Sequence, residues 1–347
     1  MSGLLNIAII GAGQIGSRHL QALANLKNIV RIQLVDKSKD SIEIALNRFQ
    51  DVYKGDANRI TLQHFSSIQD LEKYQDLVIV ATDANRRYDL VKELVQTKNI
   101  RSMILEKILF QKENEYYEID CLLENKKIPT WVNCVLRATD FYRGIKSTLN
   151  KYKPIHMTVE GDSWGLACNS IHFMDLLSFF SDCRDFEFTK VELDKKIYDS
   201  RRSSYKELSG KLFGKNAQGH SLSLSFKSGD CEEADKGGPT LIQIDNDNKK
   251  HVITSYLSRA IYKIITEDEE IEKTVTLPMQ SQLTHLIAKD IFRERYHLNS
   301  FRKGQVLRVR KFLNDILLDQ LPFLADIQRY MDELQIIMRA IFLQYAK

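Results

Sequence analysis

The 347-residue sequence lacks several features that would assign it to a particular class of protein. Its five cysteines are odd in number and include no C-x-x-C pair, which favours a reduced cytosolic compartment over a disulfide framework. No apolar run approaches the roughly 20 residues that cross a bilayer, and the apolar start is too short for a signal peptide. We therefore expect a cytoplasmic protein that does not bind membranes.

Charge and histidine placement argue against two further classes. The 50 basic and 46 acidic residues leave a net charge of +4 and are mixed along the chain. A nucleic-acid groove needs a basic stripe instead. The eight histidines show no metal-ligand spacing such as H-E-x-x-H. We expect neither a nucleic-acid partner nor a catalytic metal.

The most informative feature that is present is the start of the chain. An apolar run over residues 4–10 predicts a strand buried on both faces. Gly11 to Gly16 then supplies G-x-G-x-x-G, followed by an amphipathic stretch and a second apolar strand that ends at Asp36. Because the motif follows a strand, opens a helix and has an acid 20 residues beyond its last glycine, it predicts a dinucleotide-binding site.

Each residue of this loop has a physical role in such a site. Gly11 permits a tight turn, Gly13 removes a side chain that would block the pyrophosphate, and Gly16 lets helix and strand pack closely. The N–H groups at the helix start, at Gln14 and Ile15, then face the phosphates. The alternative is a glycine-rich loop that merely turns.

The acid at the end of the second strand sets the expected cofactor. Asp36 can accept hydrogen bonds from both ribose hydroxyls, whereas a 2′-phosphate would meet a carboxylate head-on. This favours NAD over NADP. Lys37 and Lys39 lie just beyond Asp36 and can relax that preference.

The patterning predicts an α/β chain of two domains. Strands alternate with helices over residues 1–130, which predicts a doubly wound parallel sheet, the Rossmann NAD-binding fold. Later, Leu222, Leu224 and Phe226 alternate with serines, the period-two pattern of a sheet with one buried and one wet face. We expect residues 131–347 to form an α+β domain for substrate binding and oligomerisation. Its largely antiparallel sheet is open on one face, and two helices, 279–296 and 323–345, close the chain.

Five landmarks, in this order and spacing, resemble the glucose-fructose oxidoreductase / inositol dehydrogenase (Gfo/Idh/MocA) family over nearly the whole chain. They are the glycine loop, Ala81-Thr82, Glu106-Lys107, residues 133–137 and residues 171–175. The resemblance implies cofactor contacts from Ala81, Thr82, Glu106 and Lys107, and substrate contacts from Asn133, Arg137 and His172. We also expect Trp164 and Asn169 to contact the substrate.

The resemblance also implies the catalytic residues. In that family the lysine of a Glu-Lys-Pro motif reaches the nicotinamide and the reacting oxygen, and a histidine on a second-domain helix acts as acid or base. Lys107 and His172 are the matching positions. The chemistry agrees, since a histidine with a pKa near ~6.5 can take the hydroxyl proton and a lysine can stabilise an alkoxide. A solvated strand-end lysine and a core histidine remain the alternatives.

Several positions leave choices open. Ile108 stands where the family usually has proline, and Cys168 stands where many members have an aspartate. Arg137 suits a carboxylate or phosphate on the substrate, and equally a surface ion pair. Trp164 suits stacking on a sugar ring, and equally filling a seam.

Together these features predict an NAD-dependent dehydrogenase acting on a CH–OH group of a sugar, cyclitol or nucleotide-linked sugar, with surface polysaccharide precursors as one context. The alternatives are an NADP-linked reductase, an imine reductase and a catalytically inactive, cofactor-binding regulatory subunit. Small serines on the open sheet face, and the family's habit of associating there, predict a homodimer or homotetramer.

Overall fold

The computed structural model describes residues 4–292 apart from residues 57, 108, 163–164, 184–185, 195–197, 200–205, 228–237 and 255–258. Within this part the chain divides into two compact units. The first comprises residues 4–138 and 278–292, and the second comprises residues 139–277.

The first unit is built on a six-stranded parallel sheet of the doubly wound type. The strands of this unit are β1 (Leu5–Ile10), β2 (Val30–Val35), β3 (Ile60–Phe65), β4 (Tyr74–Gln75), β5 (Leu77–Val80), β6 (Asn99–Ile100), β7 (Met103–Leu105) and β8 (Thr130–Val132). The sheet order is β3-β2-β1-β5-β7-β8, and β4 pairs with β6 separately. The order therefore reverses between β1 and β5, which makes their carboxyl ends the ligand-binding edge of such a sheet. The predicted Rossmann sheet is confirmed.

Four helices follow these strands, α1 (Gln14–Leu23), α2 (Lys39–Val52), α3 (Ala84–Thr97) and α4 (Glu113–Lys126). The apolar stripe of α1 faces inward, where Leu20 and Leu23 are fully buried with Ile7 and Ile9 of β1. Ser38 caps α2 by accepting a hydrogen bond from the Ser41 backbone N–H. The apolar residues of the strands and the apolar stripe of the helix thus pack into one hydrophobic core.

The second unit is an α+β domain around an eight-stranded sheet. Its helices are α5 (Asp140–Thr148) and α6 (Leu166–Ser181), and its strands are β9 (Ile155–Asp162), β10 (Glu187–Leu193), β11 (Tyr198–Asp199), β12 (Lys206–Glu207), β13 (Gly210–Lys215), β14 (Ser221–Lys227), β15 (Gly238–Asn246), β16 (Lys249–Thr254), β17 (Arg259–Ile265) and β18 (Glu270–Thr276). The sheet order is β10-β13-β14-β9-β15-β16-β17-β18, and β11 pairs with β12 separately. Within this sheet β14 and β9 run parallel and the other pairs are antiparallel, which confirms the predicted, largely antiparallel sheet.

The two faces of this sheet differ as the serine alternation predicts. Leu222 and Leu224 are fully buried, and the ring of Phe226 lies 6.3 Å from that of Phe173 on α6. The serines of β14 are half-buried on the opposite face, which we call the open face. Phe213, directly opposite Ser223 in the register, lies on that face too and is 39% exposed.

One helix returns to the first unit. α7 (Gln280–Phe292) confirms the predicted helix 279–296, but it packs against α1 rather than joining the second domain as expected. The first unit also continues to residue 138, past the predicted boundary at 130. The predicted helix 323–345 lies outside the described residues. In the part of the chain described, no helix is long and apolar enough to cross a membrane.

Candidate functional site

The glycine loop lies at the carboxyl end of β1. Gly11 has φ +97, a conformation that residues with a side chain rarely adopt, so the turn depends on glycine there. A Cβ on Gly16 would come within 1.7 Å of the Gly11 carbonyl oxygen and 3.6 Å of the Ala81 side chain. Gly16 therefore allows α1 to begin directly against this edge of the sheet.

Gly13 is different, because it is exposed and its position is open. A Cβ built there meets nothing within 4 Å, and its φ of −61 suits any residue. Gly13 is the N-cap of α1 and has no side chain to accept from the N–H groups of the first turn, which includes Gln14 and Ile15. The protein thus presents donors and the positive end of a helix dipole beside free space.

The Asp36 carboxylate lies beside this loop and is held from both sides. Its Oδ2 accepts a hydrogen bond from the Ala12 backbone N–H at 2.7 Å, and its Oδ1 accepts from Ser38 N–H at 2.8 Å. Each carboxylate oxygen can accept more than one hydrogen bond. Asp36 is therefore a fixed negative group with acceptor capacity left for hydroxyls.

The neighbouring strand contributes Ala81 and Thr82. The Ala81 N–H donates to the Ile10 carbonyl at 2.8 Å, which joins the ends of β5 and β1 across the switch point. Thr82 Oγ1 is buried and has no hydrogen-bond partner among the described residues. A buried hydroxyl of this kind is suited to a bound ligand.

A buried polar network lies at the ends of β7 and β8. Glu106 Oε1 accepts from Asn133 Nδ2 at 2.6 Å and lies 2.8 Å from His19 Nε2. The other nitrogen of His19, Nδ1, is 2.8 Å from Thr284 Oγ1 on α7. These side chains are all under 10% exposed. The network connects α1, two strand ends and α7 within the first unit.

Glu106 is ionised in this network. Burial by itself raises the pKa of Glu106, but hydrogen bonds from His19 and Asn133 and the charge of Arg87 together hold that pKa below its usual value. Its carboxylate is buried and accepts hydrogen bonds from protein side chains. Glu106 and Asn133, expected to contact cofactor and substrate, thus have each other and His19 as partners.

The remaining predicted residues are distributed over both units. Lys107 is half-buried in the first unit, and Arg137 is half-buried in a 3₁₀ turn that follows β8. Asn169 and His172 are half-buried on α6 of the second unit, where Asn169 Nδ2 donates to the Gly165 carbonyl at 3.1 Å. His172 is thus not enclosed in the core, whereas its neighbour Phe173 is 0% exposed. Trp164 and Ile108 lie outside the described residues.

Two residues at this site were not predicted, His19 and Arg87. His19 falls on the buried face of α1 and Arg87 on the buried face of α3, in phase with Val91 and Leu94. The signal available in the sequence is a polar residue at an apolar position of an amphipathic helix. Because buried polar groups need partners, such a position indicates a network.

The residues at the carboxyl edge fit a dinucleotide. The space at Gly13, the N–H groups of the first turn of α1, the fixed Asp36 carboxylate and the buried Thr82 hydroxyl together offer what a pyrophosphate and a ribose need. Over the described residues, no group of three or more His, Cys, Asp or Glu side chains suits a metal ion.

Comparisons with known proteins agree with this geometry. Residues 5–133 match the family model described as Gfo/Idh/MocA, oxidoreductase family, NAD-binding Rossmann fold. The match spans the glycine loop, Asp36, the ends of β5 and β7, and Asn133.

Solved structures of similar fold cover most of the chain. A dehydrogenase (MviM) from Clostridium difficile is 16% identical with a TM-score of 0.64, covering 91% of this chain and 99% of its own. The transcriptional regulator Gal80p from Kluyveromyces lactis is 15% identical with a TM-score of 0.62, covering 87% and 86%. KijD10, a 3-ketoreductase from Actinomadura kijaniata in complex with NADP, is 11% identical with a TM-score of 0.60, covering 99% and 96%. At these identities the likeness establishes the fold alone. Residues 5–133 of this chain therefore match the NAD-binding Rossmann fold of the Gfo/Idh/MocA oxidoreductase family.

Proposed function

We propose that this protein is an NAD-dependent oxidoreductase that acts on a CH–OH group of a sugar, cyclitol or nucleotide-linked sugar, with the cytoplasm as its compartment. The observation that carries the cofactor part is the Asp36 carboxylate, fixed between the Ala12 and Ser38 N–H groups beside the open position at Gly13. The substrate part rests on the family resemblance of Lys107 and His172.

The nicotinamide, when bound, supplies the hydride acceptor or donor. Asp36 would accept from the ribose hydroxyls, and the N–H groups of Gln14 and Ile15 would face the phosphates. His172 would take the proton of the substrate hydroxyl as the carbonyl forms. Lys107 would stabilise negative charge that develops on the same oxygen. Asn169 and Arg137 would contact other polar groups of the substrate.

Two other functions have support in particular observations. Lys37 and Lys39 follow Asp36, and KijD10, a protein of similar fold, was solved in complex with NADP. An NADP-linked reductase that acts on a carbonyl or imine is therefore the second candidate. A regulatory subunit that binds a dinucleotide without catalysis is the third, and the fold shared with the regulator Gal80p favours it.

The first test is cofactor choice. We expect NADH to bind more tightly than NADPH, because a 2′-phosphate would approach a carboxylate that two backbone N–H groups hold in place. Asp36→Ala should lower the ratio of the NADPH to the NADH dissociation constant by at least about tenfold, which corresponds to ~1.4 kcal/mol of removed repulsion. Fluorescence titration of both variants with both nucleotides measures this.

Asp40→Ala is the matched control, since Asp40 is an exposed acid on the first turn of α2. It should leave the ratio of the two dissociation constants unchanged. Tighter binding of NADPH by the unmodified protein would reverse the assignment and favour a role for Lys37 or Lys39.

We propose a second copy of this chain as the partner of the open face. That face carries the uncharged serines of β14, and Phe213 and Ile261 on the same face are 39% and 37% exposed. Small serines and exposed apolar side chains, set among charged residues of the same face such as Lys211 opposite Ser225, can pack against an identical face around a two-fold axis. The result would be a homodimer, or a homotetramer with one further interface.

Light scattering coupled to gel filtration tests this assembly. The unmodified protein should elute as a dimer or tetramer, and introducing charge with Ser223→Lys plus Ser225→Lys should shift it towards monomer. Ser66→Lys, at an exposed serine of the first unit, is the control and should change nothing. A monomeric wild type, or an oligomer indifferent to the open-face changes, would contradict the proposal.

A further inference from the structure

Arg87 is an arginine buried inside the first unit, at 2% exposure on α3. A guanidinium is always charged, so its removal from water has a large cost unless other groups replace the water. Its neighbour Arg86 on the same helix is exposed. The buried guanidinium of Arg87 therefore needs hydrogen-bond acceptors from the protein in place of water.

Its partners among the described residues include backbone carbonyls of the loops that follow two neighbouring strands. Arg87 Nη1 donates to the Glu106 carbonyl at 2.6 Å and to the Leu109 carbonyl at 3.0 Å, and Nη2 donates to the Thr82 carbonyl. Thr82 lies just after β5, and Glu106 directly follows β7. One planar group thereby ties together two neighbouring loops at the ligand-binding edge of the sheet.

The segment held in this way contains Lys107. Glu106 and Leu109, whose carbonyls Arg87 binds, bracket the lysine on both sides. Lys107 is followed by Ile108, so the chain has no proline ring there to restrict the backbone. Hydrogen bonds to a charged donor are worth more than neutral ones, which makes Arg87 a strong restraint on this segment.

The far end of the same segment is fixed by two residues of α4. Tyr116 Oη donates to the Phe110 carbonyl at 3.1 Å and accepts from the Phe110 N–H at 3.2 Å. Glu115 Oε2 accepts from the N–H groups of Gln111 and Lys112, both at 3.1 Å. Side chains of α3 and α4 thus hold both ends of the segment from residue 106 to residue 112, which we call the lysine loop.

We infer that Arg87 is a positioning residue for Lys107. Arg87 holds the backbone of the lysine loop in place by binding the Glu106 and Leu109 carbonyls, one on each side of that lysine. The structural half of this inference stands on the contacts above. The catalytic half rests on the proposed function, because it requires that Lys107 takes part in the reaction.

Hydrogen exchange of the lysine loop tests the structural half without any substrate. In Arg87→Met the loss of the charge-assisted hydrogen bonds to the Thr82, Glu106 and Leu109 carbonyls should raise exchange in peptides covering residues 106–112 by about 10- to 100-fold. Arg86→Met, the same substitution one residue away on the surface, should leave exchange unchanged. Arg87→Lys keeps the charge but lacks the planar fork, so its exchange should fall between wild type and Arg87→Met.

Wild-type exchange of the lysine loop in a folded Arg87→Met protein would overturn the inference. If Arg87→Met does not fold, Arg87→Lys takes its place, and wild-type exchange there would overturn the inference too. A faster loop with no change elsewhere in the first unit supports it.

A double-mutant cycle tests the catalytic half. Arg87→Met should lower kcat by about tenfold or more through misplacement of Lys107, with a smaller change in the dissociation constant of NADH. Adding Lys107→Met to Arg87→Met should then cost little further, because both changes remove the same contribution. Effects that multiply instead would show that Arg87 does not act through Lys107. Absence of any turnover by the wild type would contradict the proposed function but leave the exchange result standing.

Discussion

Replacing Gly13 by alanine is expected to lower NADH affinity by at least about 100-fold while the protein stays folded, a loss of ~2.7 kcal/mol of binding free energy. A Cβ at this position meets no protein atom within 4 Å, and the backbone conformation, with φ −61, is ordinary. The new methyl group therefore disturbs a ligand in that space rather than the protein itself. Fluorescence titration measures the affinity, and thermal unfolding measures the stability.

Gly16→Ala gives the opposite combination and serves as the comparison. Its Cβ would lie 1.7 Å from the Gly11 carbonyl oxygen, so α1 must shift and the ligand-free protein loses stability. If Gly13→Ala binds NADH as tightly as the unmodified protein, the pyrophosphate does not occupy the space at the start of α1. That result would contradict the binding mode.

Replacing His172 by alanine is expected to lower kcat by roughly 10²–10⁴ and to leave the dissociation constant of NADH nearly unchanged, the usual effect of removing a positioned acid–base group. His172 is half-buried on α6, a position with access to a substrate that a core histidine would lack. Steady-state kinetics with the identified substrate gives kcat, and a separate titration gives the affinity. His64→Ala, at an exposed histidine of β3, should match the wild type.

Lys107→Met extends the same test to the second candidate. We expect a slower reaction with a larger effect on kcat/KM than on kcat if Lys107 also holds the substrate. Full activity in either variant would make that residue structural and would transfer the chemistry to another group, with Asn169 as the next candidate.

Much of the fold was predictable, because its signals are local. The apolar strand before Gly11, the inward stripe of α1 and the acid after β2 each follow from neighbouring residues, and together they specify one kind of unit. The alternation at Leu222 and Leu224 likewise predicts which face of β14 is buried. These are patterns of period 3.6 and period 2, and the structure has both.

Other features depend on partners that are distant in the sequence. The periodicity of α7 predicts a helix but not the element it packs on, and it packs on α1 through a contact between Thr284 and His19 that spans 265 residues. Arg87 and Glu106 form buried interactions whose partners are backbone carbonyls or side chains of other elements. The sequence marks such residues as polar, but only the three-dimensional arrangement identifies what they bind.

The most direct test of the central claim is NADH formation from NAD with a panel of sugars, cyclitols and nucleotide-linked sugars, followed by absorbance. We expect turnover with at least one member of the panel, at a rate that Lys107→Met and His172→Ala reduce. The central claim is contradicted if the protein binds NADH tightly but the wild type, Lys107→Met and His172→Ala all form NADH at the same rate with every member of the panel.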